Sequence, residues 1–145
     1  MLHSRGPQTY TWYKRIMAIK NVCLQDIKYL IQHNELKLKS TQTKLSIPII
    51  NRIYKKMVAK IRMPPIKIQN DIICDGHHRY IASLLAKYEI EMILWSSSAS
   101  TITIDWRTVS FDDKDWDTQE EIRIINQQDA CNNKVELDVI LNLLQ

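Results

Sequence analysis

The residues best equipped for chemistry in this chain stand together in one run, Asp75-Gly76-His77-His78-Arg79. An arginine grips a phosphate through two parallel hydrogen bonds, and a histidine can donate to it or pass it a proton. Asp75 can orient a histidine, accept a proton from a nucleophile, or hold a metal together with a phosphate. Gly76 is one of only two glycines in the sequence, and a glycine lets the backbone approach a ligand closely. With a strand leading in and a helix leading out, the loop also offers unpaired N–H groups and the positive end of a helix dipole. The run therefore reads as a phosphate site. Gly76, His77, His78 and Arg79 are its binding residues, and Asp75, His77 and His78 are its candidates for catalysis. The plainer reading is that Asp75 caps the helix while the histidines face solvent. Adjacent residues at a helix start diverge by about 100°, so the two histidines are not expected to act alike, and no metal set is assigned to them.

The elements that must position this loop can be read on either side of it. Before it, Ile66-Lys67-Ile68 and Ile72-Ile73-Cys74 flank Gln69-Asn70-Asp71, which is turn chemistry and predicts a β-hairpin. After it, Ile81, Leu84, Leu85 and Tyr88 mark a helix, and residues 89–95 return as a strand. Upstream, Ile50, Ile53, Tyr54, Met57, Val58 and Ile61 recur at helical spacing, with Pro64-Pro65 expected to end that helix. Ile27, Leu30 and Ile31 suggest an earlier helix, and Leu36 to Lys39 a short strand. Downstream, Thr101 to Trp106 alternates like a strand. Thr118 and Glu121 form a capping box that opens a helix ending near Asp129, and Val135 to Leu144 suits a last packing helix. The pattern is an α+β class with a small mixed sheet and packed helices.

A length of 145 residues with 45% apolar and 25% charged residues suits one packed domain. No run approaches the roughly 18–20 apolar residues of a membrane span, and residues 1–7 lack the apolar core of a secretory signal. Cys23, Cys74 and Cys131 are odd in number and widely spaced. They suggest neither a disulfide framework nor a zinc motif, and point to action in a reducing, cytoplasmic setting. Cys74, at the end of an apolar run, is expected to be buried and unreactive. The net charge of +4 is unevenly spread: residues 1–99 hold 16 Lys and Arg against 6 Asp and Glu, and residues 100–145 hold 4 against 10. From Leu36 to Asn70 there are nine basic residues and no acid. Arg52, Lys55, Lys56 and Lys60 on the central helix are thus candidate nucleic-acid contacts. The competing reading is that this face meets the acidic C-terminal segment of its own chain.

The stretch from Pro65 to Ala82, with Asp75-Gly76-His77-His78-Arg79 at its centre, resembles the signature of the ParB/sulfiredoxin superfamily over roughly residues 36–95. The resemblance implies that this loop and helix start bind nucleotide phosphates. Sulfiredoxins place a reactive cysteine directly after the glycine, where this chain has His77, which argues against sulfinic-acid reduction. CTP-binding ParB proteins carry Glu-Arg where this chain has His77-His78. The superfamily's free serine kinases share Asp-Gly-His-His-Arg, but their basic glutamate has no counterpart in residues 39–43.

The expectation is therefore a ParB/sulfiredoxin-like core at residues 36–95, between a helical N-terminal extension (1–35) and an acidic C-terminal extension (96–145). Its leading function is phosphoester chemistry, as nuclease or NTP hydrolase, of the kind found in ParB-like domains of bacterial toxins and secreted effectors. The alternatives are an ATP- or ADP-dependent small-molecule kinase and a non-catalytic nucleotide or nucleic-acid binding module. ATP or another nucleotide, a divalent metal such as Mg²⁺, nucleic acid and, for a toxin, a cognate immunity protein are the implied cofactors and partners.

Overall fold

The computed structural model describes residues 19–96 and 102–145. Helix α1 (Leu24–His33) precedes β1 (Lys44–Ser46), which runs directly into α2 (Ile47–Val58). Strands β2 (Ile66–Gln69) and β3 (Ile72–Asp75) lead into α3 (His77–Ala86), followed by β4 (Met92–Leu94). A 3-10 turn (Trp106–Thr108), β5 (Ser110–Asp112), α4 (Gln119–Asn133) and α5 (Leu137–Leu143) complete the chain. The class is α+β with a small mixed sheet. β2 lies between antiparallel β3 and parallel β4, while β1 and β5 form a separate parallel pair. No helix among the described residues is long and apolar enough to cross a membrane.

The hairpin forms where turn chemistry and alternating apolar residues agree. Gln69 pairs with Ile72, and Asn70 takes the left-handed conformation (φ 55°) that asparagine tolerates. Lys67 pairs with Asp75 but Ile68 with Ile73, so Cys74 is the extra residue of a bulge. Bulges re-aim the residues beside them. Here Cys74 is half-buried rather than buried, and Asp75 is exposed. Behind the hairpin lies a continuous core in which Ile27, Leu45, Ile50, Met57, Ile66, Ile73, Ile81 and Ile140 are all buried.

Several boundaries differ from the sequence expectation. Leu36 to Lys39 is not a strand: only Lys39 makes an isolated bridge, to Ile72. The expected strand at Thr101–Trp106 reduces to a bridge between Ile104 and Ser40, Trp106 begins the 3-10 turn, and Thr101 lies outside the described residues. The strand expected over 89–95 spans only Met92–Leu94. α4 runs past Asp129 to Asn133, and the last helix is shorter than Val135 to Leu144. α2 stops at Val58, well before the prolines. Its end is a Schellman turn in which the Ile61 N–H donates to the Lys56 carbonyl (2.9 Å) and the Lys60 N–H to that of Met57 (3.0 Å).

α3 and α4 end the same way. The Tyr88 N–H donates to Ser83 O (2.9 Å) and the Val135 N–H to Ala130 O (3.0 Å). Lysine occupies the left-handed position in all three turns, with φ of 67° at Lys60, 52° at Lys87 and 53° at Lys134. A side chain there costs about 1–2 kcal/mol, part of which glycine would return as entropy of the unfolded chain. Lys87→Gly and Lys134→Gly should each stabilise the protein by about 0.5–1 kcal/mol. Urea denaturation checks this, and a lower midpoint for both variants would contradict it.

Candidate functional site at the start of α3

Gly76 joins β3 to α3 at φ 105°, where only glycine sits without strain. A Cβ there would lie 2.5 Å from Ile66 Cγ2 and 3.0 Å from Arg79 Nη2, so the turn is closed against any side chain. The first intrahelical bond runs from the Tyr80 N–H to the Gly76 carbonyl (2.9 Å). The N–H groups of His77, His78 and Arg79 are left without a partner among the described residues. No side chain caps this helix, and no acidic residue lies in its first turn.

The two imidazoles take a role that the sequence did not suggest. The Thr41 N–H donates to His77 Nε2 (3.0 Å), and the Ser46 N–H donates to His78 Nε2 (3.0 Å). His77 is buried and His78 half-buried, so neither simply faces solvent. A ring nitrogen that accepts is unprotonated, and each neutral ring therefore carries its proton on Nδ1. The rings diverge as the helical geometry requires. His77 lies near Trp106, and His78 meets the edge of Trp116 at 5.4 Å between centroids. Burial pushes the pKa of His77 down to about 4, against a smaller opposing effect of Asp75. Burial also lowers His78 to about 4, helped by His77, Arg79 and Arg52. Neither ring is free to act as a base, because accepting a proton at Nε2 would cost it a backbone hydrogen bond. Of the three residues expected to be catalytic, Asp75 alone remains available as a proton acceptor.

Arg79 Nη2 lies 3.3 Å from both the Pro65 carbonyl and Asp75 Oδ2, while its Nε is buried with no hydrogen-bond partner. Gly76, both histidines and Arg79 line a cavity of about 540 Å³, together with Trp116 and Ile125 from the C-terminal part of the chain. Among the described residues no three His, Cys, Asp or Glu side chains converge in a metal-binding group.

The expected nucleic-acid stripe is not a free surface. Arg52 grips Asp115 with two N–H groups and reaches Asp117 at 2.8 Å. Lys56 is 2% exposed and donates to Asp129 Oδ2 at 2.6 Å. Burial lowers its pKa, partly offset by that carboxylate. Lys55 is also buried, so of the four residues only Lys60 is exposed. The acidic C-terminal segment has folded onto the basic helix because opposite charges and a shared core bring them together. Asp115, Trp116, Asp117 and Asp129 thereby join the site. Asp115, Trp116 and Asp117 stand just before the Thr118 capping box, and what they meet depends on residues more than 30 positions away.

Comparison with protein-family models, curated proteins and solved structures finds no match to this chain.

The buried rings make stability depend on pH. Their folded pKa near 4 lies below the ordinary 6.5, so the unfolded chain binds more protons in between. The stabilisation is present above pH 6.5 and is lost as pH falls towards 4, by a few kcal/mol in all. Urea unfolding across this window should show the loss, and His77→Gln/His78→Gln, which keeps acceptors without titration, should flatten the slope. An unchanged slope in that variant would contradict the assignment.

Proposed function

We propose that the chain binds the phosphates of a nucleotide at the start of α3 and performs phosphoester chemistry on them, with Asp75 as proton acceptor. The observation that carries this reading is the unpartnered start of α3, where the N–H groups of His77, His78 and Arg79 and the buried Arg79 Nε have no hydrogen-bond partner among the described residues. Buried donors rarely stay unpaired, and a helix N-terminus favours an anion. The resemblance of the Asp75–Arg79 run to the ParB/sulfiredoxin signature supports the same assignment and a core of that type. Trp116, beside His78, and Ile125 also line the cavity and offer an apolar surface for a base.

Around the cavity Arg52, Lys56 and Arg79 face Asp75, Asp117 and Asp129, so the charged lining is balanced. Such a lining suits a compact phosphate group whose excess charge a divalent ion offsets. Asp75, exposed at the rim, would hold a Mg²⁺ jointly with the phosphate, and the ion would supply further charge neutralisation. A long polyanion needs a cationic track, which the pairing of Arg52 and Lys56 removes. Nucleotide turnover is therefore favoured over nucleic-acid cleavage. If Asp75 has no catalytic part, the same donors make a nucleotide-binding module.

Titration calorimetry with ATP, ADP, CTP and a short oligonucleotide, paired with a phosphate-release assay, tests the reading. Arg79→Ala should weaken nucleotide binding by about tenfold to a hundredfold, and Asp75→Asn should remove turnover while keeping affinity. Undiminished nucleotide binding by Arg79→Ala would overturn the site. ADP release that requires an added alcohol would identify a kinase.

A further inference from the structure

The strand β4 closes one edge of the three-stranded sheet and carries an unusual surface. Met92, Ile93, Leu94 and Trp95 are all exposed, Leu94 by 83%, so apolar side chains face solvent on both sides of the strand. The ladder to β2 uses alternate residues only. The Ile66 N–H donates to Glu91 O (2.9 Å) and the Trp95 N–H to Ile68 O (2.8 Å), with Ile66 opposite Met92 and Ile68 opposite Leu94. In a parallel ladder of that register the N–H and C=O groups of Met92 and Leu94 point away from the sheet. No strand among the described residues takes them. Exposed edges are normally blunted by charge, proline or a bulge, and Met92 to Trp95 has none of these.

We propose that β4 is a self-association surface, on which a second copy of this chain adds its own β4 antiparallel across a two-fold axis at Ile93. The register follows from the free groups. Met92 of one copy meets Leu94 of the other and exchanges both hydrogen bonds, and Ile93 meets Ile93. Side chains agree with this pairing. Met92 and Leu94 meet on one face, both apolar. On the other face Glu91 comes opposite the partner's Trp95, over whose ring the partner's Lys67 lies at 4.1 Å. Lys67 and Ile93 are register partners and share that face. Each end of the new pair therefore sets a carboxylate beside an ammonium, and no like charges meet. The strand is short, and the contact falls below the roughly 800 Å² per partner of stable complexes, so the dimer is concentration-dependent. Met92 to Trp95 lie outside the lining of the cavity at α3, so both copies keep an open site.

Sedimentation equilibrium of the full chain over a wide concentration range tests this. The parent should shift from monomer to dimer, while Leu94→Lys stays monomeric and keeps the parent's melting temperature and nucleotide affinity. The register is tested by Ile93→Cys with Cys23 and Cys131 replaced by serine. This protein should form a disulfide-linked dimer on mild oxidation, and Met92→Cys in the same background should not. A parent that is monomeric throughout, as it would be if another part of its own chain covers β4, overturns the proposal. So does a Leu94→Lys protein that dimerises like the parent.

Discussion

Two backbone hydrogen bonds to adjacent imidazoles hold the site together. By accepting the N–H groups of Thr41 and Ser46, His77 and His78 fasten the segment that leads into β1 and α2 onto the first turn of α3. Ser46 is itself buried and its hydroxyl donates to the Lys114 carbonyl at 2.8 Å, so the same point also anchors the C-terminal segment. Leaving a buried backbone N–H unpaired costs about 1–3 kcal/mol, and protonating either ring would do so. The histidines are therefore held neutral, and their chemistry is set by their structural task. Each can offer an Nδ1–H but cannot take a proton without loosening the fold.

The second constraint is electrostatic. A basic first part and an acidic last part make a chain that neutralises itself. The Arg52 contacts with Asp115 and Asp117 are partly exposed, whereas the Lys56–Asp129 pair is buried. A buried pair adds little net stability, but removing one partner leaves an uncompensated charge in the core. Lys56 and Asp129 thus fix how α4 sits against α2, and with it the cavity lining that Ile125, Gln128 and Asn132 provide. Of the four basic residues on α2, Lys55 and Lys56 are buried and Arg52 is held by Asp115 and Asp117, so Lys60 alone stays exposed.

Local features were legible in the sequence. The Asn70-Asp71 turn, the glycine between strand and helix, and the Thr118–Glu121 capping box each depend on a few neighbouring residues, and each is found, the cap with both of its 3.1 Å bonds. Helix ends were less legible, because lysines rather than glycines fill the left-handed positions at Lys60, Lys87 and Lys134. β5 was not read at all, since its three residues gain strand geometry only by pairing with β1. The site itself divides along the same line. Asp75, Gly76 and Arg79 announce themselves by type, whereas the roles of His77 and His78 depend on Thr41 and Ser46, more than 30 residues away.

Nitrogen-15 NMR of the imidazole rings at neutral pH tests the central claim most directly, because it reports which ring nitrogen carries the proton. Both His77 and His78 should be neutral Nδ1–H tautomers, and their Nδ1–H signals should shift when a nucleotide is added while Nε2 keeps the signature of an acceptor. A charged imidazolium, or an Nε2–H tautomer at either ring, would contradict the account.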